Sequence, residues 1–94
     1  MTPALPATLT LAQARATAAQ LRAALERGHT GVPWEVDAGA LAEFDTSALA
    51  VLLELQRAAR ACGAELTVSA PPAKLRQLAT LYGVEALLGL QPGA

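Results

Sequence analysis

From Thr46 to Cys62 the chain carries neither glycine nor proline, with Asp45 in front of this stretch and Gly63 behind it. Such an uninterrupted run between two punctuating residues is a helix: the Asp45 carboxylate is placed to accept orphan amides of the first turn, and Gly63 to end it. What flanks the helix limits the fold further. Glu65-Leu66-Thr67-Val68-Ser69 alternates as a strand with Leu66 and Val68 on one face, and Pro71-Pro72 punctuates before a third helix from about Ala73 to Tyr82. Its inner stripe is expected to be Leu75, Leu78, Ala79 and Tyr82. Gly83 ends it, and Val84 to Leu90 adds a final strand or helical turn.

The first part of the chain has the same rhythm. Leu5 to Leu9 alternates weakly, as a short strand would, and Thr10-Leu11-Ala12-Gln13 has the form of a capping box, so a helix starts at about Leu11. Ala14, Ala18, Leu21 and Leu25 recur at helical spacing, Gly28 is placed to end that helix, and Gly31 with Pro33 marks a loop. Trp34-Glu35-Val36-Asp37 then alternates like a strand with one buried face. Strands alternating with helices predict an α/β fold, a parallel or mixed sheet covered by helices, because a parallel pair needs a crossover of helical size. With 94 residues, 53% of them hydrophobic, one domain spanning 1–94 is expected. In open sheets of this kind, sites gather at the carboxyl ends of strands where the next helix begins; here that junction is Phe44-Asp45-Thr46-Ser47.

Charge narrows the function classes. A net charge of −1, from 7 Lys+Arg and 8 Asp+Glu, leaves nothing to neutralise a phosphate backbone, so nucleic acid is set aside as a partner. Charged residues make up only 16% of the chain, below the roughly 25% of an average soluble domain, which favours an interaction module with an apolar docking patch. A wheel of the second helix puts Ala48, Val51, Leu52, Leu55, Ala58, Ala59 and Cys62 on the core side, and Glu54, Gln56, Arg57 and Arg60 on the other. Leu49 and Leu53 fall among the polar residues, one turn apart. They are expected to form an exposed docking ridge flanked by Ala50, Glu54 and Arg57, against the plainer alternative of isolated surface leucines without a role.

Catalytic readings find little support. The lone His29 lies in a glycine-flanked loop and reads as a solvated residue, neither metal ligand nor general base. Cys62 reads as a small core side chain and, being the only cysteine, forms no internal bridge. Glu35 and Asp37 alternate on one strand face and look toward water. Neither a Gly-x-x-x-x-Gly-Lys-Ser/Thr nor a Gly-x-Gly-x-x-Gly pattern occurs, so nucleotide hydrolysis would belong to a partner. No enzyme activity, cofactor or metal is expected. The N-terminus has neither the basic start nor the apolar core of a signal peptide, and no apolar run approaches the ~20 residues of a membrane span, so the expected location is the cytoplasm.

Phe44-Asp45-Thr46-Ser47-Ala48-Leu49-Ala50-Val51-Leu52-Leu53, followed by a strand and by Lys74-Leu75-Arg76-Gln77-Leu78-Ala79-Thr80-Leu81-Tyr82-Gly83-Val84, resembles the STAS-domain family. The likeness covers Trp34 to about Leu90 and is nearest to the MlaB-like branch, whose members are cytoplasmic STAS subunits of phospholipid-transport ABC complexes maintaining outer-membrane lipid asymmetry. Two departures stand out: the family's glycine after the hydroxyl pair is Ala48 here, and the N-terminal strand reads as shortened or missing. The resemblance implies a partner, the ABC ATPase subunit, itself associated with a membrane permease, which would hold this chain peripherally at the inner membrane. It implies that Thr46, matching the family's hydroxyl residue, contacts that partner. Asp45, Ser47, Leu49, Ala50, Leu53 and Arg57 would complete the surface, with Arg76 and Thr80 as a rim. The sigma-regulatory branch implies another role, an anti-sigma-factor antagonist with Thr46 as its phosphosite. A self-associating module, a homodimer on the same patch, is a third reading.

Overall fold

The computed structural model describes residues 3–28 and 33–90. In chain order the elements are β1 (Thr8–Leu9), α1 (Leu11–Gly28), β2 (Trp34–Asp37), β3 (Glu43–Phe44), α2 (Thr46–Ala61), β4 (Leu66–Ser69), α3 (Ala73–Leu81) and α4 (Glu85–Leu88). This is the expected α/β alternation. The loop signal at Gly31 and the solvated reading of His29 lie outside the described residues.

Two parallel ladders form two two-stranded sheets, β1 with β3 and β2 with β4. The N-terminal segment joins them. Ala4 bridges Asp37 at the end of β2, with Leu5 N donating to Asp37 O at 2.8 Å and Asp37 N to Pro3 O at 2.9 Å; four residues later Thr8 and Leu9 pair with Glu43 and Phe44. Pro6, which has no amide to donate, sits where the segment leaves one neighbour for the other. The N-terminal strand is therefore present, but split into two short contacts. At the other side Leu90 bridges Val68, as one of the two readings of the chain end required, while Glu85–Leu88 supplies the helical turn of the other.

Capping follows the local chemistry. The Gln13 side chain reaches back to the start of α1, its Oε1 accepting from both the Thr10 amide (2.9 Å) and the Thr10 hydroxyl (2.8 Å). Asp45 caps α2, Oδ1 accepting from Ser47 N at 2.8 Å. Gly63, Gly83 and Gly89 adopt the left-handed conformation at helix ends.

The core is built from the alternating strand positions Trp34, Val36, Leu66 and Val68, with Leu5 and Leu9 from the N-terminal segment, under Ala48, Leu52, Leu55 and Ala59 of α2 and Leu75 and Ala79 of α3. Full burial of each leucine is worth about 1.5–3 kcal/mol. Four sequence expectations need correction. Leu49 is buried, with 4% of its surface exposed, and so is Gln56, at 3%. The two are seven residues apart, two turns, and share a flank of α2 that a one-sided wheel leaves open to water. That flank is covered: α2 packs on α3 and α4 as well as on α1 and β4, and Gln56 Nε2 donates to Leu87 O of α4 at 2.7 Å. Gln56 Oε1 accepts from Leu66 N at 2.8 Å, so one amide side chain clips α2 to both β4 and α4. Conversely, Cys62 is exposed, because it is the C-cap, where the chain turns away through Gly63; its thiol donates to Ala59 O at 3.4 Å. Tyr82 is exposed for the same reason at the end of α3.

Candidate functional site

α1 and α2 begin just after β1 and β3, two strands paired in parallel, so their first turns emerge side by side. Asp45 stands between them. Its carboxyl is held below the ordinary value of 3.8 chiefly by the Ser47 backbone amide; desolvation opposes this, and the Ser47 hydroxyl with the Leu11 and Asp45 amides adds lesser lowering effects. The carboxylate caps α2, where its charge also suits the helix dipole. The start of α3 closes in from another side: Lys74 Nζ lies 5.5 Å from the centroid of the Phe44 ring, a cation over an aromatic face.

Thr46 follows Asp45 and is exposed, while Ser47 is half-buried. Beside them Leu11 projects with 80% of its surface in water. Spacing alone puts Leu11 on the inner stripe of α1, seven residues before Ala18. Burial along that stripe grows from Leu11 through half-buried Ala14 to buried Ala18, so the first turn stands clear of the core. Leu11 and Lys74 are the neighbours that sequence reasoning missed at this junction. The signal for Leu11 was a large apolar residue in the first helical position, directly after a cap; for Lys74 no local signal exists, because its place depends on how α3 packs.

An open groove runs between α1 and α2 from this edge. Buried or half-buried Ala14, Ala18, Val51 and Leu53 line its floor, and exposed Arg15, Glu54 and Arg57 stand around it, together with exposed Ala50. Of the expected docking residues the structure therefore brings Ala50, Leu53 and Arg57 together on one surface continuous with Asp45 and Thr46. Leu49 is removed from it, because its side chain belongs to the core. Leu53 is half-buried and packs against that core, a groove wall instead of a free ridge. Arg76 is half-buried on α3, and Thr80 lies toward the far end of that helix from Lys74, its hydroxyl donating to Glu85 Oε2 at 3.2 Å. Thr80 is thus tied to α4, away from the Asp45 edge.

Among the described residues no group of three or more His, Cys, Asp or Glu side chains is arranged to hold a metal ion, and no helix is long and apolar enough to cross a membrane. What this edge offers is two capped helix starts, an exposed hydroxyl, an exposed leucine and a groove.

The structure is a small parallel α/β domain with an exposed hydroxyl, Thr46, at the start of the helix that follows a short strand. The family model described as Mlab, STAS domain matches residues 4–90, and the chain belongs to the STAS-domain family. Among curated proteins no relative matches it.

Proposed function

We propose that this chain is a non-catalytic adaptor that binds the ATPase subunit of an ABC transporter for phospholipids and stabilises its assembled form, in the service of outer-membrane lipid asymmetry. Its place would be the cytoplasmic side of the inner membrane, held there through the ATPase and its permease partner. The observation that carries this reading is the exposed Thr46 between the α2 cap Asp45 and the open groove of Ala50, Leu53 and Arg57, in a chain matched by a family model described as Mlab. The mechanism is linkage: a domain that prefers the assembly-competent ATPase conformation raises that population by its differential affinity and performs no chemistry itself.

Titration calorimetry of the chain against the phospholipid-transport ATPase of the same organism tests it. Binding is expected, and Thr46→Glu should weaken it by about tenfold or more through a charge placed in the contact. Absence of binding by the unaltered chain would overturn the adaptor role. The same exposure of Thr46 at a helix start favours a second reading, an anti-sigma-factor antagonist, since a phosphate there would meet the positive end of the α2 dipole. Phosphate incorporation at Thr46 by an anti-sigma kinase, with no affinity for the ATPase, would support it; a concentration-dependent homodimer that binds neither would point to a self-associating module.

A further inference from the structure

We propose that the groove between α1 and α2 seats an amphipathic helix of the ATPase that presents carboxylates to Arg15 and Arg57. This deepens the adaptor reading and rests on it. The groove differs in sign from the molecule around it: the chain carries a net charge of −1, whereas the groove is lined by three arginines against two glutamates. One of those arginines is occupied, since Arg22 Nε pairs with Glu26 Oε2 at 3.1 Å along α1. Arg15 and Arg57 are exposed and form no ion pair among the described residues, leaving two open cations facing one open anion, Glu54. A complementary segment therefore carries acidic side chains along its edges.

The walls select a helix over an extended strand. Both are α-helices, whose backbone groups are satisfied internally, so an extended peptide laid between them would find no ladder for its own amides and carbonyls. A helix brings its backbone already paired. The small side chains of Ala14, Ala18 and Ala50 let such a helix approach closely, with Val51 and Leu53 for its apolar face. At ~1.5 Å per residue the 18-residue α1 is about 27 Å long, enough to lie along several turns.

The test uses the purified chain and the ATPase subunit in calorimetry. Arg15→Gln and Arg57→Gln should each weaken binding about 2- to 5-fold and lower its salt dependence, whereas Glu54→Gln should tighten it by a similar factor; near 1 M salt the differences should shrink toward none. All three side chains are exposed, so unchanged circular-dichroism melts serve as the folding control. In a second measurement, Arg57→Lys treated with a water-soluble carbodiimide should couple its Nζ to a carboxylate in a helical segment of the ATPase, identified by mass spectrometry. Normal binding by the unaltered chain with no effect of the arginine changes, weakening by Glu54→Gln, or a complex that gives no such coupling would overturn the helix-in-groove proposal alone. A homodimer broken by the same substitutions would overturn it in favour of a second copy as occupant. No binding by the unaltered chain would overturn the adaptor reading, and this proposal with it.

Discussion

At the scale of single residues, burial decides which side chains hold the fold and which are left to face water. Leu49 and Leu53, one turn apart on α2, separate on this ground. Leu49→Asp buries a carboxylate in the core and should cost about 3 kcal/mol or more, while Leu53→Asp, at the half-buried margin, should cost about 1 kcal/mol and chiefly remove binding. Thermal melts of the two variants side by side check this. Gln56→Ala strands the buried Leu66 amide and frees Leu87 O, an expected loss of about 2–3 kcal/mol in urea unfolding, far above that of an exposed glutamine. Asp45 sets a pH dependence. Because its folded carboxyl is held below the ordinary 3.8, the stabilisation it gives is present above that value and is lost as pH falls through the lower folded value. Acid unfolding followed by circular dichroism should therefore show Asp45→Asn less sensitive than the unaltered chain below about pH 4.

At the scale of elements, the strand and helix order was legible in the sequence because each boundary has a local chemical cause: Thr10 and Gln13 at the start of α1, Asp45 and Gly63 around α2, Pro72 before α3. What was not legible was the number of neighbours each helix has. A wheel divides a helix into two faces, and α2 has partners on more than one side, so a wheel places Leu49 and Gln56 in water although both are buried. Cys62 and Tyr82 failed in the opposite direction, since a periodic stripe carries no information about where the helix end leaves the core. The junction at Asp45 and Thr46 was readable as a strand end followed by a cap; its third contributor, Lys74, comes from a segment whose approach no spacing encodes. Two backbone positions give element-scale predictions. At Gly89, with φ 62°, an added Cβ would run into the Leu66 carbonyl oxygen, so Gly89→Ala should push Leu90 off β4 and cost about 2 kcal/mol or more in denaturant titration. Ala70 holds φ 52°, which penalises a side chain; Ala70→Gly should raise stability by a few tenths to about 1 kcal/mol after the added freedom of the unfolded chain is subtracted.

At the scale of the whole molecule, the buried apolar core and the exposed Asp45 edge lie apart. The strands, the inner flanks of α2 and α3, and the α4 clip hold the buried apolar residues, while Leu11 and Thr46 stand where helices begin and the groove runs along α1 and α2. Leu81, Tyr82 and Leu87 form other exposed apolar positions, at the far end of α3 and on α4. If the Asp45 edge is the docking surface, Leu81→Ser should leave ATPase affinity within about 2-fold of the unaltered chain, whereas Leu11→Ser should reduce it by several-fold, both read by calorimetry.

The split N-terminal strand has a mechanical consequence. Between residues 3 and 9 the backbone touches β2 first and β3 afterwards, and these are the contacts that join the two ladders. The segment works as a lacing between halves that otherwise cohere through their helices. Loosening it, by replacing Leu5 and Leu9 with alanine, should let the β2–β4 half and the β1–β3 half open as separate units, seen as two classes of amide hydrogen exchange in place of one.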